Sequence, residues 1–180
     1  TQNNIKTIFN LMFDYALEYE LVDRNYSRSF TLSEELVKEI QSTKEGHIPF
    51  TSDEMITLWN NVENIIGVDM ILIQCYSGWR PQELYKLKVS DVNIEDMSFV
   101  GGMKTEAGTN RKVPIHSKTQ ELVRKRYNQA IAMKSDFLFT DNGKPFRYDM
   151  YHALFKQIKT DLHLDEHHRP HDGRTHFVTT

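Results

Sequence analysis

The sequence predicts a mainly α-helical domain carrying a small antiparallel β-sheet, an α+β arrangement. Three observations carry that expectation. Apolar residues recur at helical spacing through long stretches of the chain. One internal segment, residues 88–116, switches to β-branched and aromatic residues broken by Asp, Asn and Gly. The composition, 39% hydrophobic and 26% charged over 180 residues, suits one full domain with room for part of a second.

The first element spans residues 3–22, where Ile5, Ile8, Phe9, Met12, Phe13, Ala16, Leu17 and Leu21 form a wide apolar stripe. That face calls for a partner, and little before it in the chain can supply one. Residues 23–49 are polar and mixed and read as a linker, with room for a short helix at 33–41. A second unit begins near Pro49. Thr51 and Glu54 stand at capping-box spacing and open a helix to about Val62. The run IIGVDMILIQCYS, residues 65–77, predicts a buried helix that Gly78 ends, and Pro81 suits the first turn of the next, RPQELYKL. Strands follow near 97–103 and 111–115, joined by the turn EAGTN. Helices resume at 117–132 and 148–160, and FLFTDNGKPF between them reads as a short extended piece with a turn.

Composition also excludes classes. No stretch approaches the roughly 18 apolar residues of a membrane span, and TQNNIKTIFN lacks the basic and apolar regions of a signal peptide. The one cysteine, Cys75, falls in an apolar run and reads as a buried thiol. The net charge of −3 argues against a DNA-coating protein, but the charges are unevenly placed. Residues 1–60 carry five Lys or Arg against ten Asp or Glu, whereas residues 102–134 carry eight against two. A local positive field of that size can meet phosphates, although the run Arg124–Arg126 taken alone reads as a solvated helix face.

Four residues stand where a scaffold can aim them at a ligand. Arg80 follows the glycine turn after the buried helix, Lys104 ends a strand, and His171 and Arg174 follow Pro170. Two arginines, a lysine and a histidine make a poor metal site and a good oxyanion clamp, because guanidinium forks bind phosphate oxygens bidentately and Lys or His can move a proton. A second cluster, His163, His167, His168, His171 and His176 with Asp165 and Glu166, raises zinc as a rival. His163 and His167 have the spacing of one helix face, but no HExxH or nearby cysteine accompanies them and Pro170 breaks the helix.

Three motifs then resemble one family. YSGWRPQELYKLKVSDV is similar to the first-arginine box of the tyrosine recombinases, or phage integrases. MKTEAGTNRKVPIH resembles their lysine-bearing β-hairpin, and RPHDGRTHF resembles their His-x-x-Arg box, all in the family's order. FDYALEYELVDRNYS resembles the end of the preceding core-binding domain. The resemblance implies the recombinase catalytic-domain fold over residues 48–180, with residues 1–28 as the last helix of a core-binding domain and 29–47 as a linker. It implies site-specific DNA integration or recombination through a 3′-phosphotyrosyl intermediate, with no cofactor and no metal. Arg80 and Arg174 would hold the phosphate oxygens, Lys104 would protonate the leaving 5′-oxygen, His171 would bond the phosphate or assist proton transfer, and Glu83 would orient Arg80 or His171. The partners implied are double-stranded DNA and, in the parent protein, a homotetramer on paired sites, in a bacterial or phage-encoded, nucleoid-associated cytoplasmic setting.

Two departures qualify the match. The family's nucleophilic tyrosine follows the His-x-x-Arg box, whereas all eight tyrosines here precede His171 and the sequence ends six residues after Arg174. The chain therefore reads as a fragment, inactive alone, and Tyr148 and Tyr151 are rejected as nucleophiles. The family's Arg-His-Thr-Phe is here Arg174-Thr175-His176-Phe177, which puts a role for His176 in doubt. Rival readings are a DNA-binding relative of the fold that has lost its tyrosine and, less well matched, a type IB topoisomerase.

Overall fold

In the computed structural model, residues 2–29, 46–102 and 111–180 are described. The chain divides into two compact units, Thr1–Glu45 and Gly46–Thr180. The linker helix expected at 33–41 lies outside the described residues, as does Lys104.

The first unit is built on helix α1 (Gln2–Glu18). It stops four residues before the expected end because Glu20 takes a left-handed conformation (φ 55°). The amide of Leu21 then donates to Ala16 O and that of Glu20 to Leu17 O, the reciprocal pair that closes a helix and usually recruits glycine. The chain folds back along α1. Asn25 Nδ2 donates to Asn10 O and to Asp14 Oδ1, Arg28 forks both oxygens of Asp14, and the ring of Tyr26 meets Phe13 edge-on. Much of the apolar stripe, including Ile5, Ile8, Phe9 and Met12, remains exposed.

The second unit carries the core. Thr51 caps helix α2 (Ser52–Asn61) through a complete capping box with Glu54. Helix α3 (Val68–Ser77) starts three residues later than expected, because Gly67 adopts φ 91° and breaks the run. Val68 to Cys75 are all buried, so α3 is enclosed on every face, with Asp69 and Gln74 as its polar members, and serves as the axle of the fold. Burial pushes the Cys75 thiol well above its ordinary pKa, consistent with an inert core residue. Gly78 ends α3 at φ 66°, and Pro81 opens the short helix α4 (Pro81–Tyr85).

Strands β1 (Val92–Asn93), β2 (Ser98–Gly101) and β3 (Arg111–Pro114) form an antiparallel sheet in which Phe99 lies between Val92 and Val113 and Gly101 faces Arg111. Phe99 enters the core beside Trp79. Helix α5 (Gln120–Ala132) follows a 3₁₀ turn, and strands β4 (Thr140–Asp141) and β5 (Lys144–Pro145) form a two-residue hairpin. Asn142 (φ 50°) and Gly143 (φ 81°) supply the two positive φ angles its turn needs. Helix α6 (Tyr148–Asp161) and helix α7 (Asp172–Thr179) complete the unit, and α7 packs along α3.

Two expectations are corrected here. Helix α6 ends at Asp161, and His163 closes it in the left-handed region (φ 51°) with Leu164 N–H donating to Lys159 O, so His163 and His167 do not share a helix face. Arg126 is not part of a solvated face either. Its side chain is 18% exposed and forks Asp69 on α3, tying α5 to the axle. Lys125 pairs with Glu63 and Lys112 with Asp96, both in the open, where such pairs contribute little. Among the described residues no helix is long and apolar enough to cross a membrane.

Arg126→Ala removes one partner of the largely buried pair and leaves the Asp69 charge uncompensated. We expect a loss of about 2–3 kcal/mol in urea unfolding, below the roughly 3–5 kcal/mol of a fully buried pair because both side chains keep some solvent contact. Lys125→Ala should change stability by less than about 1 kcal/mol.

Candidate phosphate-binding site

The site is assembled at the C-terminal end of α3. Gly78 turns the chain there, and its left-handed backbone also lies against Phe177 of α7, since a Cβ at that position would meet the ring at 2.5 Å. Two residues later Arg80 caps α4 in extended conformation. Its amide donates to Glu83 Oε2 at 3.0 Å and its Nη1 to Glu83 Oε1 at 2.9 Å, so one carboxylate fixes both the backbone and the guanidinium of Arg80. Glu83 is buried (5% exposed) and also accepts from Arg111 Nη2 at 3.5 Å. The Arg111 guanidinium stacks on the buried indole of Trp79, 4.4 Å from its centroid.

Arg174 comes to the same place from α7. Its Nη1 donates to Gly78 O, and its closeness to the cluster shows in its electrostatics. Burial first, and then the charges of Arg80 and Arg111, pull its pKa below the ordinary arginine value, against the pull of Glu83. The approach of α7 needs a small residue at 173, because a Cβ on Gly173 would lie 2.8 Å from Gln74 Oε1. Gln74 is itself locked, donating to Trp79 O and accepting from Tyr151 Oη at 3.1 Å. Three guanidinium groups thus surround one carboxylate, and the pocket keeps an excess of positive charge with N–H groups on a partly open face. Such an arrangement suits an oxyanion.

Of the expected residues, Arg80, Glu83 and Arg174 are brought together. His171 is the N-cap of the helix that carries Arg174, its carbonyl accepts the Arg174 amide at 3.0 Å, and its ring lies 5.5 Å from that of His47. Tyr151 is fully buried with its hydroxyl bonded to Gln74, and its pKa is pushed far up by burial, which leaves it no route to a phosphate. Tyr148 is exposed on the first turn of α6. Sequence reading passed over Arg111 as a pocket member. Its signal was the alternation of β3, which turns Arg111 and Val113 to the core side and Lys112 outward.

The histidine cluster disperses. His168 is bracketed by Asp172 and Glu54, His167 pairs with Asp165, and His176 donates from Nδ1 to Phe50 O at 3.1 Å. Among the described residues no three His, Cys, Asp or Glu side chains gather to hold a metal ion.

The phage integrase family matches residues 49–180. Among solved structures the chain is similar to the Tn1549 transposon integrase, residues 82–397, in complex with circular intermediate DNA. The two are 20% identical with a TM-score of 0.75, over 98% of this chain and 64% of that one. It is similar to the XerA recombinase at 19% identity and a TM-score of 0.63, over 76% of this chain and 50% of that one. The integrase from mycobacterium phage Brujita shares 14% identity at a TM-score of 0.55, over 97% of this chain and 55% of that one. The chain thus spans less than two thirds of the length of each. No curated relative matches it.

Glu83→Gln should release Arg80 while keeping the shape of the side chain. We expect weaker protection of the Arg80 amide in hydrogen exchange and a loss of about 1–3 kcal/mol in unfolding free energy, the cost of leaving a buried charged hydrogen bond unmade.

Proposed function

The chain belongs to the phage integrase family, and from that premise we propose that it supplies the phosphate-handling site of a tyrosine-type site-specific DNA recombinase. The observation that carries the reading is the meeting of Arg80 and Arg174, from two boxes 94 positions apart in sequence, beside the single buried carboxylate of Glu83.

In this reading a DNA phosphate sits between the two guanidinium groups, which hold its non-bridging oxygens. A tyrosine hydroxyl attacks phosphorus. The bond to the 5′-oxygen breaks, leaving a 3′-phosphotyrosyl link and a free 5′-hydroxyl. Lys104 protonates the departing oxygen, and His171 bonds the phosphate or assists the proton leaving the nucleophile. Glu83 is a positioning residue for Arg80. A 5′-hydroxyl from another strand reverses the step, and because the energy of the phosphodiester is kept in the protein–DNA link, the cycle needs neither ATP nor metal. The two arginines are preorganised donors for the extra charge of the transition state, which is the largest electrostatic contribution such a site can make.

The same reading takes double-stranded DNA as partner, a homotetramer on paired sites as the working assembly, and a nucleoid-associated cytoplasmic setting. Residues 1–28 are read as the last helix of a core-binding domain, whose exposed apolar stripe would pack against the rest of that domain. Residues 29–47 are read as a linker and 48–180 as part of the catalytic domain.

The test uses a longer protein that contains this chain, incubated with a nicked suicide substrate carrying its attachment site. A covalent protein–DNA adduct should form in EDTA. Arg80→Ala or Arg174→Ala should slow its formation by about 10²–10³-fold, as removal of one oxyanion donor does elsewhere. Binding to a verified site without any adduct would replace this reading with that of a non-catalytic DNA-binding relative.

A further inference from the structure

Next to the phosphate pocket lies a second cluster that the proposed chemistry does not use. His168 is 3% exposed and stacks on Phe50, ring centroids 4.1 Å apart. Its Nε2 lies 3.1 Å from Glu54 Oε1 and its Nδ1 lies 3.2 Å from Asp172 Oδ2. Both carboxylates are saturated with other donors. Glu54 Oε1 also accepts the Asp165 amide, and its Oε2 accepts the amide and hydroxyl of Thr51. Asp172 Oδ2 accepts the Arg169 amide and its Oδ1 takes His47 Nδ1 at 2.7 Å. Donors on every side favour the ionised form of each carboxyl. A neutral imidazole has one N–H and one lone pair, so it would turn that lone pair on a carboxylate oxygen; only an imidazolium donates to both.

We propose that His168 is held as an imidazolium between Glu54 and Asp172, and that this bridge is the positioning device for the helix that presents His171 and Arg174. Resting on the recombinase reading for its purpose, the device stands on geometry alone for its existence. Asp172 is the first residue of α7, fully buried, and lies between His171 and Arg174 in sequence. Through Glu54 it is tied to the capping box of α2, and through His47, whose ring lies 5.5 Å from that of His171, it reaches the flank of the pocket. A two-carboxylate bridge thus fixes where α7 begins, and Gly78 O fixes where the Arg174 guanidinium ends.

The charged and titratable groups facing the bridge are Glu54 from α2, Asp172 and His176 from α7, His47 from the segment before α2, and Asp165 and Lys159 from the end of α6 and the turn after it. Lys159 donates to the carbonyls of Glu166 and His168. For His168, burial works against the charged form, while the bonds to Asp172 and Glu54 outweigh it and raise the pKa. Glu54 and Asp172 are lowered by their donors against burial. A raised histidine stabilises below its unfolded pKa and loses that contribution as pH climbs through its folded pKa. The lowered carboxylates stabilise above their unfolded pKa and lose it as pH falls through their folded pKa. The bridge is therefore complete from above the ordinary carboxylate range up to beyond the ordinary histidine value.

The experiment is a ¹⁵N nuclear magnetic resonance titration of the 180-residue chain, without DNA. Both ring nitrogens of His168 should carry protons at the pH where an ordinary histidine is half-titrated, with its own midpoint above that value. Asp172→Asn or Glu54→Gln should each lower that midpoint by roughly one unit or more, and either variant suffices if the other does not fold. The side-chain signals of Arg174 and His171 should shift with the midpoint of His168, and in His168→Gln that pH dependence should vanish. A His168 midpoint at or below the ordinary histidine value would overturn the imidazolium. Arg174 and His171 signals that ignore the His168 transition would overturn the positioning role. Failure of the longer protein to form a DNA adduct would sink the recombinase reading and leave this result standing, because both arms are read on the chain alone.

Discussion

The pocket depends on the buried carboxylate of Glu83. It holds the amide and guanidinium of Arg80, shares its second oxygen with Arg111, and lies in the field of Arg174. One negative charge among three permanent cations stabilises their approach without neutralising it. Removing the carboxylate would leave three guanidinium groups repelling one another on a half-buried surface, and adding a second would cancel the attraction for an anion. The rest of the second unit supports that balance. The buried helix α3 gives an axle, Gly78 turns the chain at its end, and Gly173 lets α7 lie close enough for Arg174 to reach Gly78 O.

Three further basic residues of segment 102–134 pair with acids outside it, and one of these pairs is largely buried. Arg126 is tied to Asp69, Lys125 to Glu63 and Lys112 to Asp96. The excess of eight basic over two acidic residues in 102–134 is thus partly a set of cross-fold ion pairs with acids elsewhere in the chain, which reconciles a local positive run with a net charge of −3. Among the described residues of that segment Arg111 alone joins the pocket, and it does so by stacking on Trp79 and bonding Glu83.

Legibility in the sequence followed the range of the interaction. Thr51 and Glu54, Gly78 and Pro81, and Asn142-Gly143 act within a few residues, and each announced the element it starts or ends. The mainly helical fold with its small antiparallel sheet was readable for the same reason. The end of α1 at Glu18 was not, because Glu20 occupies a left-handed position where glycine is the usual sign, whereas the end of α6 at Asp161 fell within one residue of the expected one. Arg80, Glu83 and Arg174 were found through motif spacing, whereas the part played by Arg111, and the bracketing of His168 by Glu54 and Asp172, rest on contacts between residues up to 114 apart that no local pattern encodes. Lys104, expected at the end of a strand entering the hairpin turn, lies outside the described residues.

The central claim is that Arg80, Arg111 and Arg174 form one preorganised oxyanion pocket around Glu83. The most direct test is a titration of the 180-residue chain with inorganic phosphate while the ¹⁵Nε signals of its arginines are followed. The account predicts that these three signals move together along one weak saturation curve, that Arg126 stays still, and that Arg174→Ala abolishes the response at Arg80. Independent curves for the three, or a response spread equally over Arg28, Arg124 and Arg147 on the surface, would contradict it.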